Sequence, residues 1–331
     1  MPPGSEERRL KLGPRWWLKR TALLAATATL GFGTVYGTLK YLESREPLVN
    51  LSERENNAAA PGSGPGDGKH LRFAIATMVT PESTFRDYKR LVDRISRDVG
   101  REGIFLIPPS YTDARNKLED GTVDVALVCT GTYVHALPGG RIGLLAQPEF
   151  AEGRKYQSLF LVPAQSPYRT LEDLRGKTVA FTDPESNTGC IVPTAKINAL
   201  GQDPASFFGE IVFTGSHDRS IAAVETGLVS CAAVDSLVWL SKLEVDPSLA
   251  NRVRIIWQSE PYGPPPIVVP AGLDEKLRDS LQIAFLALDK DREGREILAA
   301  IGIRRFVAPE PEDYRSAIAV RETFEIEAGA P

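Results

Sequence analysis

The stretch TVAFTDPESNTGCIVPTAKINALG, residues 178–201, joins a short apolar run, a polar turn and a longer amphipathic segment. The apolar run at 178–181 predicts a buried strand, an Asp-Pro turn follows it, and the apolar spacing of 190–201 predicts a helix. The residues that this unit places at the start of the helix are Ser186, Asn187, Thr188 and Gly189.

These four residues suit the capture of an anion. A helix start exposes unpaired backbone N–H groups and the positive end of the helix dipole, and neighbouring hydroxyls add donors. Such a site favours a tetrahedral oxyanion such as phosphate or a phosphonate, and Gly189 allows a close approach. The alternative is that Ser186 or Thr188 only caps the helix, and the local sequence leaves both interpretations open.

The alternation of strands and helices continues on both sides of this stretch. One α/β unit precedes residue 156 and a second follows residue 178, and two extended passages, 156–176 and 255–270, connect them. Strands that alternate with helices predict right-handed crossovers and largely parallel sheets. We therefore predict an α/β fold of two lobes that close over a ligand, with one long sheet as the alternative.

This interpretation divides the chain into four parts. Residues 1–42 are predicted to be a basic tail and a transmembrane anchor, and residues 43–70 a flexible linker rich in Gly, Pro, Ala and Ser. Lobe 1 is expected to comprise 71–163 plus 261–331, and lobe 2 to comprise 164–260.

The anchor is predicted from charge and length. The basic stretch at 8–20 precedes the uncharged run TALLAATATLGFGTVYGTL at 21–39, and roughly 20 helical residues cross a bilayer. The positive-inside rule then places the folded part outside the cytoplasm. A cleaved signal peptide, with ATA at 26–28 as a processing site, is the alternative.

Composition excludes several other classes of function. The net charge is −4 and the basic residues are scattered, so nothing indicates nucleic-acid binding. Three cysteines are too few for a disulfide framework, and the three histidines lack ligand spacing for a metal, so neither a metal nor a cofactor is expected. A remote enzymatic alternative is Cys190 as a nucleophile at a helix start with His217 as its base.

Residues 171–239 resemble the substrate-binding proteins of phosphonate, phosphite and phosphate-type ABC transporters. The matching landmarks, in chain order, are LEDLRGK (171–177), SNTG (186–189), a Phe-Phe pair (207–208), GSH (215–217) and AAVDS (232–236). Residues 110–134 resemble the first-lobe segment of that family. The resemblance implies a type 2 periplasmic-binding-protein clamshell without catalysis.

The resemblance also implies roles for individual residues. Ser186, Asn187 and Thr188 would donate to the oxyanion, Tyr111 and Tyr133 would reach in from the first lobe, and His217 would lie across the cleft.

The residues themselves are compatible with these roles. A histidine ring can donate to an oxyanion and would become charged if the anion raised its pKa, and tyrosines combine a donor with an apolar wall. Asp235 ends a buried strand, where it could accept a hydrogen bond from a protonated oxyanion. The alternatives are a surface role for His217, packing for the tyrosines and a helix cap for Asp235.

Two positions depart from the family pattern. Asn187 stands where a second hydroxyl is usual, and Leu237 stands at or near the carboxylate that meets the ammonium group of aminoalkylphosphonates. The second departure argues against an amino-bearing ligand. The predicted function is a membrane-tethered receptor that binds a small phosphorus oxyanion (phosphonate, phosphite or phosphate) and delivers it to an ABC transporter permease. The alternative is a sensing domain for a partner such as a kinase.

Overall fold

Eleven strands form two separate sheets in residues 68–150, 153 and 155–327, which are the residues that the computed structural model describes. The strands are β1 (His70–Ile75), β2 (Glu102–Leu106), β3 (Val125–Leu127), β4 (Ile142–Glu149), β5 (Ser158–Pro163), β6 (Thr178–Phe181), β7 (Glu210–Phe213), β8 (Cys231–Asp235), β9 (Val253–Gln258), β10 (Ile267–Pro270) and β11 (Arg305–Val307). One sheet has the order β11-β4-β10-β3-β1-β2 and the other the order β7-β6-β8-β5-β9.

Helices connect and cover these strands. The α-helices are α1 (Pro81–Asp98), α2 (Tyr111–Glu119), α3 (Thr130–Ala136), α4 (Val192–Asn198), α5 (Pro204–Phe207), α6 (His217–Glu225), α7 (Ser236–Val245), α8 (Glu275–Ala287), α9 (Arg292–Ala300) and α10 (Arg315–Glu327). Short 3-10 turns cover Leu137–Gly139, Glu172–Leu174, Pro247–Asn251, Leu288–Lys290 and Pro311–Tyr314, and a π-helical turn covers Asn187–Ile191.

The two sheets repeat one topology. In the first sheet β1 pairs in parallel with β2 and β3, and β10 enters antiparallel between β3 and β4. In the second sheet β6 pairs in parallel with β7 and β8, and β5 enters antiparallel between β8 and β9. In each lobe, the first strand after the chain crosses between the lobes therefore lies between two other strands of its sheet. The presence of two separate sheets confirms the two-lobed α/β prediction and excludes one long sheet.

Each lobe has its own apolar core. In lobe 1, Leu91 and Ile95 of α1 and Phe285 of α8 are buried with the strands, and the Phe73 and Phe285 rings meet edge to face with centroids 6.0 Å apart. In lobe 2 the predicted Phe-Phe pair is buried beside Phe160 and Phe181. Burial of such side chains stabilises a fold by about 1.5–3 kcal/mol each.

The first crossing lies earlier than the sequence predicted. The sequence pattern places Ser158–Pro163 in lobe 1, but this segment forms β5, which pairs with β8 and β9 of the second sheet. Lobe 2 therefore begins at about residue 158 rather than at 164. The reason for the error is that a buried antiparallel strand has the same apolar sequence pattern as an extended connection.

The two crossings are joined to each other. Tyr156 and Tyr262 exchange backbone hydrogen bonds of 3.0 and 2.8 Å, and the Ser259 N–H donates to the Ser158 carbonyl at 2.9 Å. Both tyrosines are buried. The connection between the lobes is therefore a two-stranded hinge.

The predicted anchor and linker lie outside the described residues, apart from the last residues of the linker, 68–70. Over the part of the chain that the structure describes, no helix combines the length and hydropathy needed to span a membrane.

Candidate ligand-binding site

The SNTG loop, Ser186–Gly189, is buried where lobe 2 faces lobe 1. Ser186 caps the turn, because its Oγ accepts the Gly189 N–H at 3.0 Å. The helix opens as the π-helical turn, in which the Ser186 carbonyl accepts the N–H groups of Cys190 and Ile191. A Cβ on Gly189 would lie 2.4 Å from Thr182 Oγ1, so this position requires glycine. The cap interpretation is therefore true of Ser186, and it leaves Asn187 and Thr188 unexplained.

His217 lies at the start of α6, beside the SNTG loop. Its Nδ1 accepts the Asp235 N–H at 3.1 Å and lies 3.0 Å from the Thr182 hydroxyl. Burial lowers the pKa of His217 to about 3. The neutral ring therefore carries its proton on Nε2, which is 3.5 Å from Ser186 Oγ, and acts as an uncharged donor rather than a surface histidine.

Lobe 1 meets the SNTG loop with the starts of α2 and α3. The Tyr111 N–H donates to Asp183 Oδ2 at 3.2 Å, and the Asn187 N–H lies 3.5 Å from Cys129 Sγ. A Cβ on Gly131 would lie 2.2 Å from the Glu185 carbonyl oxygen. The two lobes are therefore closed on each other in this structure.

Three hydroxyls near this junction have no hydrogen-bond partner among the described residues. They are Tyr111 Oη, Thr132 Oγ1 and Thr188 Oγ1, and all three are fully buried. Nearly all buried polar atoms in proteins are paired, so each exception calls for an explanation. Two lobes contribute to the set, which is the distribution expected for donors to a ligand enclosed between them.

The two tyrosines predicted from lobe 1 differ in their surroundings. Tyr111 supplies one of the unpartnered hydroxyls, whereas the Tyr133 ring packs edge-on against Tyr314 with centroids 5.0 Å apart. The contacts of Tyr133 thus support the packing alternative. Sequence reasoning missed Tyr156, whose hydroxyl accepts a hydrogen bond from Asn187 Nδ2 at 3.4 Å.

Thr132 and Tyr156 had weak sequence signals. Thr132 is one of several hydroxyl residues at the start of α3, and Tyr156 begins a segment that looked like a connection. A tyrosine beside an expected hinge is the only signal that could have identified Tyr156.

Asp235 is a buried carboxyl at the end of β8. Its Oδ1 accepts the N–H groups of Leu237 and Val238 at 2.6 and 3.4 Å, so it also caps α7, as the alternative interpretation held. Burial raises the pKa of Asp235 to about 7. Burial also raises the pKa of Asp183. The Asp235 carboxyl can therefore hold a proton near neutral pH.

Asp235→Asn is expected to change how stability depends on pH. The pKa of Asp235 in the folded state, about 7, lies above the usual 3.8. The free energy of unfolding is therefore highest below about pH 4, where the carboxyl is protonated in both states, and falls as the pH rises through 7. The asparagine variant keeps the cap without this loss. The unfolding temperature of the variant should rise relative to that of the wild type between about pH 4 and 7. A difference in unfolding temperature that stays constant with pH would show that Asp235 has an ordinary pKa.

The nucleophile alternative for Cys190 is not supported by its surroundings. Burial raises the pKa of this thiol to about 12, so the helix start does not generate a thiolate. Among the residues that the structure describes, no group of three His, Cys, Asp or Glu side chains could hold a metal ion.

Two α/β lobes that close over buried neutral donors define the class of two-lobed solute-binding proteins. A family model described as ABC transporter, phosphonate, periplasmic substrate-binding protein matches residues 73–314. The chain belongs to this family, whose members bind and transport a substrate rather than transform it, and the resemblance inferred from the SNTG, GSH and AAVDS motifs is confirmed.

Curated relatives support the same family. The chain is 25% identical over 255 residues to the phosphonates-binding periplasmic protein of Escherichia coli, with 75% of each chain covered. It is 25% identical over 175 residues to a probable ABC transporter phosphite-binding protein of Prochlorococcus marinus. That match covers 49% of this chain and 59% of the relative, so the chain spans less than two thirds of the length of that protein.

Solved structures establish the fold. A Prochlorococcus marinus protein in complex with methylphosphonate superposes with a TM-score of 0.70 at 20% identity, covering 80% of this chain and 99% of that one. A binding-protein component of a phosphonate transporter from Pseudomonas aeruginosa gives a TM-score of 0.68 at 20% identity, with 79% and 98% covered.

Proposed function

We propose that this protein binds a small phosphorus oxyanion between its lobes and delivers it to an ABC transporter permease. The observation that carries the proposal is the set of three buried, unpartnered hydroxyls, Tyr111, Thr132 and Thr188, contributed by both lobes beside the SNTG loop. Similar proteins described as binding phosphite and phosphonates support the ligand class.

The chemistry of the site favours a protonated or singly charged oxyanion. The donors described above are hydroxyls, an amide, backbone N–H groups and the neutral His217 ring, and none is a lysine or arginine. Asp235, with its raised pKa, can share a proton with a P–OH group. Sulfate has no such proton at neutral pH, so we expect phosphite, phosphate or an alkylphosphonate to bind in preference to sulfate.

A ligand panel tests this function. Thermal unfolding of the full chain should be measured with phosphate, phosphite, methylphosphonate, aminoethylphosphonate and sulfate. A ligand present at 100 times its Kd stabilises the fold by about 2.7 kcal/mol. We expect a shift with at least one phosphorus oxyanion and none with sulfate. If all five leave the unfolding temperature unchanged, the proposed ligand class is wrong.

The proposal includes a membrane tether formed by residues 21–39. It is supported by the uncharged run and the basic stretch before it. The full chain should remain with membranes after washing at high salt and high pH, and deletion of residues 1–42 should release it. Recovery of the full chain in the soluble fraction would contradict the tether.

A further inference from the structure

An ion pair joins the two lobes next to the SNTG loop. Nε and Nη2 of Arg115, on α2 of lobe 1, lie 3.1 and 3.0 Å from Glu185 Oε1 of lobe 2. The hydroxyl of Thr112 donates to the same oxygen at 2.9 Å. We propose that the Arg115–Glu185 pair is a latch that holds the lobes closed and slows the release of the ligand.

The Arg115–Glu185 pair is buried, so its interaction energy depends on whether the lobes are closed. The Arg115 and Glu185 side chains are only 19% and 9% exposed, and the second carboxylate oxygen, Oε2, is buried without a partner among the described residues. A buried carboxylate is costly unless a cation compensates it. Opening the lobes would separate Glu185 from Arg115 and Thr112 and return its charge to water. Arg115 also contacts Glu119 of its own helix at 3.5 Å, and opening leaves that pair intact. Without Arg115, the charge of Glu185 is therefore uncompensated only in the closed state, and the lobes should open.

The latch also holds the binding loop. Glu185 directly precedes Ser186, and its N–H donates to Asp183 Oδ1 at 2.9 Å. The other oxygen of Asp183 accepts the Tyr111 N–H. Glu185, the SNTG loop and the start of α2 are thus fixed together. Arg115 and Glu185 are positioning residues that act through this loop, and their effect on ligand release rests on the proposed function.

The latch can be tested without ligand by hydrogen exchange on the full chain. The Thr80 N–H donates to Asp218 Oδ2 at 3.2 Å and the His217 N–H to the Met78 carbonyl at 3.0 Å, and both bonds cross between the lobes without involving either latch residue. Arg115→Ala should speed the exchange of these two amides while amides within β1 and β5 stay protected. Faster exchange in the strands as well would indicate unfolding and would contradict the latch.

Two further variants make the test specific. Adding Glu185→Gln to Arg115→Ala removes the uncompensated charge, so exchange at Thr80 and His217 should slow again. The matched control is Arg252→Ala, which breaks an ion pair with Glu225 inside lobe 2, at 2.8 Å, and should leave both amides unchanged. If Arg115→Ala leaves the two amides as protected as in the wild type, the latch does not exist.

The second readout is the release of methylphosphonate. Arg115→Ala should raise its dissociation rate about tenfold or more, and Arg252→Ala should not. If methylphosphonate fails to slow exchange in the wild type while Arg115→Ala still speeds it without ligand, the latch stands and the proposed ligand is wrong. An unchanged dissociation rate in Arg115→Ala would overturn the role in release.

Discussion

Gly131→Ala is expected to abolish most ligand binding while leaving the folded lobes intact. A Cβ at this position would lie 2.2 Å from the Glu185 carbonyl oxygen and 2.8 Å from the Asn187 nitrogen, both backbone atoms of the facing lobe. Within α3 itself, alanine is favoured over glycine by up to about 1 kcal/mol. The substitution therefore acts on the contact between the lobes and not on the helix.

The expected magnitude follows from the population of the closed state. If closure becomes about 3 kcal/mol less favourable, the apparent Kd rises by about 100-fold. Calorimetric titration with methylphosphonate should show this loss, and amides within β1 and β5 should stay protected from exchange without ligand, because each lobe keeps its fold. Gly272→Ala is the control, because a Cβ there meets no atom within 4 Å. Wild-type affinity in Gly131→Ala would mean that binding does not need the closed arrangement.

Thr188→Val is expected to separate binding from stability. Its hydroxyl is buried without a partner, so replacing it with a methyl group removes no hydrogen bond within the protein. A hydrogen bond to a charged ligand contributes about 1.5–3 kcal/mol, so affinity for methylphosphonate should fall by about 10- to 100-fold. The unfolding temperature without ligand should stay the same or rise, since an unsatisfied buried hydroxyl is unfavourable.

The control for Thr188→Val removes a buried hydroxyl away from the cleft. Ser96 Oγ donates to the Val92 carbonyl at 2.7 Å within α1. Ser96→Ala should leave the affinity unchanged and lower stability slightly. If Thr188→Val unfolds at a lower temperature than the wild type yet binds methylphosphonate equally well, the Thr188 hydroxyl does not bind the ligand.

The sequence predicted the elements that depend on local pattern. The run at 178–181 forms β6, and the SNTG loop lies at a helix start because a strand followed by a polar turn leaves few alternatives. The pattern of two α/β units with extended passages between them also favoured two lobes, and the two separate sheets exclude the alternative of one long sheet.

Features that depend on strand pairing or contacts between distant parts of the chain could not be predicted from the sequence. The assignment of Ser158–Pro163 is decided by pairing with strands that lie 71–77 and 90–99 residues further along the chain, and no local signal carries that information. Similarly, Tyr133 and Tyr156 are both plausible binding tyrosines by type. Tertiary contacts alone separate them, because one ring packs on Tyr314 and the other hydroxyl meets Asn187.

The insertion of β10 into the first sheet has a consequence for the order of folding. Lobe 2 is one continuous segment, from β5 to β9, so all its strands are available as soon as residue 258 has been synthesised. Lobe 1 must wait for β10, because Ile267 pairs with Leu127 and with Ala146, and β3 and β4 are not neighbours without it. Contacts so distant in sequence form slowly. During synthesis the inserted lobe should therefore mature first, and the lobe that begins the fold should be the last to be completed.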